Sequence, residues 1–206
     1  MGRAEVRDWI AGRLASRTPL RIPDEACEAR AGVTLLLRPP RRAPQEPSRT
    51  ELLFIRRARV PGDPWSGHVA FPGGHLGPAD GSLKEAARRE LREETGIEIG
   101  AEEFLGRLSD VDPTGPDLPA IAVTPFVAWL EGPARIRESR EVLDHAWIPV
   151  SAFTRHRFRS VQTVRRGQTE LSFPAVRYRG FTVWGLTYRI MTEFLEAIDR
   201  SQRCPG

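Results

Sequence analysis

The chain has 206 residues, the length of one domain with helical extensions, and its 40% hydrophobic and 28% charged composition is ordinary for a globular protein. The formal charge is +4, and because Lys84 is the sole lysine nearly all of the positive charge is arginine. Arginine suits bidentate phosphate binding, although an arginine-heavy genome gives the same bias. No apolar run reaches the ~18 residues of a membrane span. No basic run interleaved with aromatics marks a nucleic-acid groove. The mixed charges of the first residues do not fit a secretory signal.

In chain order, residues 5–17 read as a helix, with Val6, Trp9, Ile10 and Leu14 on one face. Residues 32–38 and 51–57 read as strands of a hairpin. The Pro- and Arg-rich stretch 38–49 between them reads as an exposed loop, because its prolines cannot serve a central ladder. A turn-rich passage, 60–67, leads to the short apolar segment Val69-Ala70-Phe71 and then to Pro72-Gly73-Gly74. Residues 82–95 form the clearest helix: Ser82 and Glu85 have capping-box spacing, and Gly96 stands where a C-terminal cap belongs. Strands are expected over 104–108, 121–130 and 145–148, and a hairpin over 161–173 around Arg166-Gly167. A final helix is expected over 185–200, with Leu186, Ile190, Phe194, Leu195 and Ile198 as its apolar face. This alternation indicates an α/β or α+β sandwich in a single domain over 1–206. Cys27 and Cys204 lie near opposite ends without metal-ligand spacing, so a reduced, cytoplasmic protein is expected. His68, His75, His145 and His156 are scattered and give no metal cluster.

The helix 82–95 carries the chemistry. At roughly 100° per residue, Leu83, Ala87 and Leu91 share the packed face, while Lys84, Arg88, Arg92 and Thr95 fall on a solvated one. Glu90 and Glu94 border the apolar stripe. A carboxylate there loses hydration, and two of them one turn apart repel each other. A hard divalent cation such as Mg²⁺ resolves both problems, and Glu93 can reach the same region. Arg89 has Glu85 and Glu93 at i−4 and i+4, a spacing that can hold both carboxylates in place. The glycines of Phe71-Pro72-Gly73-Gly74 permit close backbone approach just ahead of this helix.

Residues 74–97 (GHLGPADGSLKEAARRELREETGI) resemble the Nudix box, and Arg89 to Ile97 fit its core R-E-U-x-E-E-x-G-U, where U is a bulky apolar residue. One extra residue before the arginine, with Asp80 where the strict box has Glu, is similar to the coenzyme A diphosphatase branch. Gly67 with Phe71 to Gly74, the run Leu52-Leu53-Phe54-Ile55-Arg56, and residues 178–190 (YRGFTVWGLTYRI) resemble that branch as well. Asp63 departs from it, standing where the branch carries arginine.

The resemblance implies a Nudix fold, an α/β/α sandwich with a mixed central sheet. It implies a hydrolase cleaving a diphosphate linkage in a small nucleotide-like molecule. Mg²⁺ or Mn²⁺ would be held by Glu90, Glu93 and Glu94, with Gly73 offering its carbonyl. Arg89 would orient the glutamates, and Asp80 would help fix the start of the helix. Glu93 or a later glutamate, Glu138 or Glu141, would act as general base; Glu138 also reads as an ordinary solvated loop residue. Arg56, Arg57 and Arg59 are candidates to bind the phosphates, and each equally reads as a surface residue. Coenzyme A leads the substrates; ADP-ribose, dinucleoside polyphosphates and damaged nucleoside triphosphates are alternatives. A non-catalytic nucleotide sensor of the same fold is a further alternative, against which the intact core glutamates argue. No nucleic-acid or membrane partner is expected, and the protein is expected to be a monomer or homodimer.

Overall fold

A computed structural model describes residues 2–40, 46–113 and 118–199. The middle of the Pro- and Arg-rich loop, Cys204 and the expected end of the last helix at Arg200 lie outside them. Helix α1 spans Arg3–Ala15 and buries Val6, Ile10 and Leu14. It begins two residues before the expected start because Glu5 bonds back to the Gly2 amide, and it stops at the Ser16 cap. Strand β1 (Ala29–Arg38) and strand β2 (Glu51–Arg57) follow. They are less of a hairpin than the sequence indicates: they pair directly at Leu37–Leu52 and Arg38–Glu51. Below that point the sheet opens, and β3 (Val69–Ala70) and β4 (Gly73–His75) enter the gap. β3 pairs with β2 and β4 pairs with β1. The Thr34 amide donates to the Pro72 carbonyl between them at 2.8 Å. The short apolar segment and the Pro-Gly-Gly after it are therefore two short strands, one on each side of the gap.

Helix α2 (Leu83–Thr95) follows, then β5 (Phe104–Arg107), β6 (Ile121–Trp129) and β7 (Val142–Pro149). β6 runs parallel to β1 from Ala29–Ile121 to Leu37–Trp129, whereas β5 pairs with β6 and β7 with β2 in antiparallel sense. The central sheet is thus mixed. Alternate residues of β1 face opposite layers. Leu35 and Leu37 pack with α1 and with α3 (Gly185–Ala197), while Leu36 packs with Leu91 of α2. This is the expected helix–sheet–helix arrangement.

Before α3, β8 (Arg159–Arg166), β9 (Thr169–Tyr178) and β10 (Phe181–Trp184) form a second, antiparallel sheet. The hairpin turns at Gly167, as its spacing indicates, but β10 is a strand that the sequence reading lacks.

Candidate active site

Helix α2 is built by local signals. The Ser82 hydroxyl accepts the Glu85 amide at 3.2 Å, and Gly96 caps the other end with φ 70°. Ala86 and Ala87 are buried and bring the helix close to β1. A Cβ on Gly32 of β1 would collide with the Leu83 carbonyl, so here the strand and α2 approach backbone to backbone. Because β4 pairs with that same stretch of β1, Gly73 and Gly74 are set against the face of α2 that carries Glu90 and Glu94.

Glu94 is 3% exposed, and its Oε2 accepts the Gly73 amide at 2.9 Å. Burial pushes its carboxyl up to about 8; the Gly73 hydrogen bond opposes this, Glu90 adds to it, Arg57 opposes it and Glu141 adds to it. Arg57 and Glu141 thus stand within electrostatic reach of the helix carboxylates. The Glu90 side chain is 17% exposed, and a Cβ on Gly74 would lie 2.5 Å from its carboxylate. Glycine at 74 is what leaves room for Glu90.

Arg89 ties the group together. Its Nη1 donates to Glu90 at 2.7 Å and to Glu93 at 3.0 Å. Its Nε and Nη2 clamp both oxygens of Asp80 at 3.0 and 2.8 Å, and Nη2 also reaches the His75 carbonyl. The hydrogen bond from Arg89 and a second from the Gly77 amide hold the Asp80 carboxyl below its usual range, and the same pairing raises the Arg89 pKa. Asp80 therefore belongs to the site framework as expected. Glu85 does not: among the described residues it is no partner of Arg89, because Asp80 fills that side of the guanidinium. Thr95 corrects the helical wheel too. It is buried rather than solvated, and its hydroxyl donates to the Leu91 carbonyl.

The other candidates separate. Arg57 lines a cavity of about 1290 Å³ that also borders Gly73 and Gly74. Arg56 is turned away, donating to the Gly180 carbonyl at 3.0 Å and stacking on Phe181. Arg59 is exposed and lies against Gly67. The Gly73 amide points at Glu94. Glu93 is 51% exposed at the outer edge of the carboxylate group. The loop carrying Glu141 docks on the end of α2, where Arg137 and Ser139 amides donate to the Thr95 and Glu94 carbonyls. Folding also brings His145 beside Glu138 and Asp144, with ligand-type atoms all within 4.8 Å and a His145–Glu138 contact of 2.6 Å. The scattered histidines gave no sign of that cluster, since its members meet only when β7 forms.

The far wall of the cavity comes from the second sheet and the loop before β3. His68 and Phe173 flank Trp184 with ring centroids at 4.8 and 5.7 Å, and Trp65 lies on the same wall. Sequence reasoning missed this wall, because its parts are more than a hundred positions apart.

Fold and site meet in a known family. Residues 31–166 match the family model described as NUDIX domain, and the chain belongs to that family. It is 32% identical over 130 residues to proteins named "Uncharacterized Nudix hydrolase NudL" from Salmonella paratyphi B and Salmonella newport. The match covers 62% of this chain and 65% of theirs, just under two thirds of the relatives' length. Among solved structures, a MutT/nudix family protein from Enterococcus faecalis is similar with a TM-score of 0.51 at 18% identity, covering 89% of this chain and 63% of that one. The T. brucei MERS1–RNA complex is similar with a TM-score of 0.50 at 20% identity, covering 59% and 51%. These structural likenesses concern the fold alone.

Proposed function

We propose that this chain hydrolyses a diphosphate linkage in a nucleoside diphosphate derivative, with coenzyme A or a related coenzyme A species as the leading substrate. The observation that carries the reading is Glu94. It is a carboxylate buried beside a second one, with no cationic side chain bonded to it among the described residues, and it accepts the amide of Gly73, which lines a cavity of substrate size. Such a donor set fits a hard divalent cation, Mg²⁺ or Mn²⁺. Glu90 and Glu94 would hold it, with Glu93 and the Gly73 backbone at its edge. The bound cation would supply charge neutralisation of the diphosphate.

The chain's own residues do the rest. Arg89 positions Glu90 and Glu93 from its anchor on Asp80. Arg57 offers its guanidinium to a phosphate oxygen. A carboxylate, Glu141 or Glu93, accepts a proton from water as the water oxygen attacks phosphorus and the P–O anhydride bond breaks. The products are two phosphate monoesters. Glu141 suits the base role better in one respect: Glu93 is engaged by Arg89, while Glu141 faces Glu94 from an exposed loop. We treat the chain as one functional unit acting on a small molecule, without a nucleic-acid or membrane partner.

A hydrolysis screen with coenzyme A, ADP-ribose, NADH, a dinucleoside polyphosphate and dNTPs in parallel, with Mg²⁺ or Mn²⁺ and with chelator, tests this. Turnover should require the cation. Glu94→Gln should reduce it by at least about a hundredfold, beyond the usual loss at an outer-shell partner. Tight nucleotide binding with no hydrolysis in any arm would favour the sensor reading instead.

A further inference from the structure

We infer that Asp63 is a specificity-determining residue of the cavity, fitting it to diphosphates whose distal group is planar and carries no phosphomonoester; this rests on the diphosphatase reading above. Asp63 lies in the turn between β2 and β3 and lines the cavity. Its Oδ1 accepts the Trp65 amide at 2.9 Å and its Oδ2 accepts Arg57 Nη2 at 3.0 Å. The side chain is 17% exposed. Burial pushes its carboxyl up, but the Trp65 amide and Arg57 outweigh this and hold it below the usual range. Asp63 and Arg57 therefore stand on this wall as an ion pair, and part of the donor capacity of Arg57 is already used.

The surroundings favour a flat, uncharged group. Burial holds His68 below its ordinary value despite the pull of Asp63, so its ring is neutral near pH 7. That ring tilts against Trp184, with Trp65 on the same wall. A heterocycle placed there gains ring contacts. A phosphomonoester placed there would compete with Asp63 for Arg57 and, in taking it, would leave the Asp63 carboxylate unpaired beside a like charge. Of the other cations lining the cavity, Arg189 is paired with Asp112 at 3.5 Å and Arg165 is exposed on the hairpin. Among coenzyme A-type ligands, the form without the 3′-phosphate is the one this wall accepts.

The experiment compares kcat/KM for two pairs of compounds that differ in one phosphomonoester: 3′-dephospho-coenzyme A against coenzyme A, and NADH against NADPH. The same pairs are titrated by tryptophan quenching, so discrimination is also read as Kd wherever no hydrolysis occurs. The wild-type protein should favour the form without the monoester by roughly tenfold or more in each pair, the scale of one like-charge interaction at a partly buried site. Asp63→Asn should bring the ratio towards unity, mainly through KM, and Asp63→Glu should retain it. If Asp63 merely braced the loop, Asp63→Asn would lower both members of a pair equally and leave the ratio unchanged, which would overturn the inference. Equal wild-type values within each pair would overturn it too, and that outcome needs no variant to fold. Absence of hydrolysis in all four arms, with discrimination still present in Kd, would remove the diphosphatase reading while supporting the role of Asp63.

Discussion

Glu94 is a carboxylate whose surroundings oppose its ionisation, and this gives the metal-free protein a definite pH dependence. Its value in the folded chain is about 8, against 4.5 for a free glutamate. The folded state therefore binds more protons than the unfolded state between those two values. Its contribution to stability is complete below about pH 4.5 and is lost as pH rises through about 8. Glu94→Gln removes the titration while keeping the shape. In chelator, the variant should melt above the wild type at pH 9 and show no such advantage at pH 4.5. Each kcal/mol should appear as roughly 2–4 °C in a domain of this size. Mg²⁺ should raise the wild-type Tm at pH 9 and leave the variant unmoved. Equal differences at both pH values would mean that burial of Glu94 is relieved by other means. The residue was legible in the sequence because its place on the wheel and the box pattern agreed. The hydrogen bond from Gly73 was not, since it depends on β4 joining β1.

Helix α2 shows why some elements can be read from sequence and others cannot. Its signals lie within the segment itself: the Ser82 cap, the apolar stripe and the Gly96 terminus. Ser82→Ala should lower stability by about 1 kcal/mol, read as a smaller urea midpoint at unchanged slope. Arg88→Ala, on the exposed face, should alter neither the midpoint nor turnover; a large loss of turnover would place that face inside the site. Where the reading failed, the deciding partner lay outside the element. Thr95 is covered because residues 97–99 and the loop at Arg137 close over the end of the helix. β3, β4 and β10 are too short for periodicity to identify, and β3 and β4 exist through pairing with β2 and β1, from which loops separate them. The Arg57–Asp63 pair also escaped notice, because loop geometry rather than spacing brings it together.

At the scale of the molecule, β8 and the first half of β9 add a wall to the site while giving little to the core, which the second sheet joins through Val176, Phe181 and Val183. Along β8 and the first half of β9 most side chains are exposed; burial begins at Ala175 and Val176. Thr163 and Ser172 face each other across the hairpin. Joining them by a two-residue turn, in place of the residues between, should leave the far-UV spectrum and Tm nearly unchanged. KM should rise, because Val164 and Arg165 line the cavity. A collapse in Tm instead would make the hairpin part of the folding unit. The parallel pairing of β1 with β6 has a further consequence, one of timing. The ladder from Ala29–Ile121 to Leu37–Trp129 joins an early segment to a late one. Closing so long a loop is entropically slow. On the ribosome, the apolar Leu35-Leu36-Leu37 run would emerge well before its partner strand. The nascent chain therefore carries an unpaired β1 edge until translation passes Trp129, and that interval is when it is most exposed to wrong pairing.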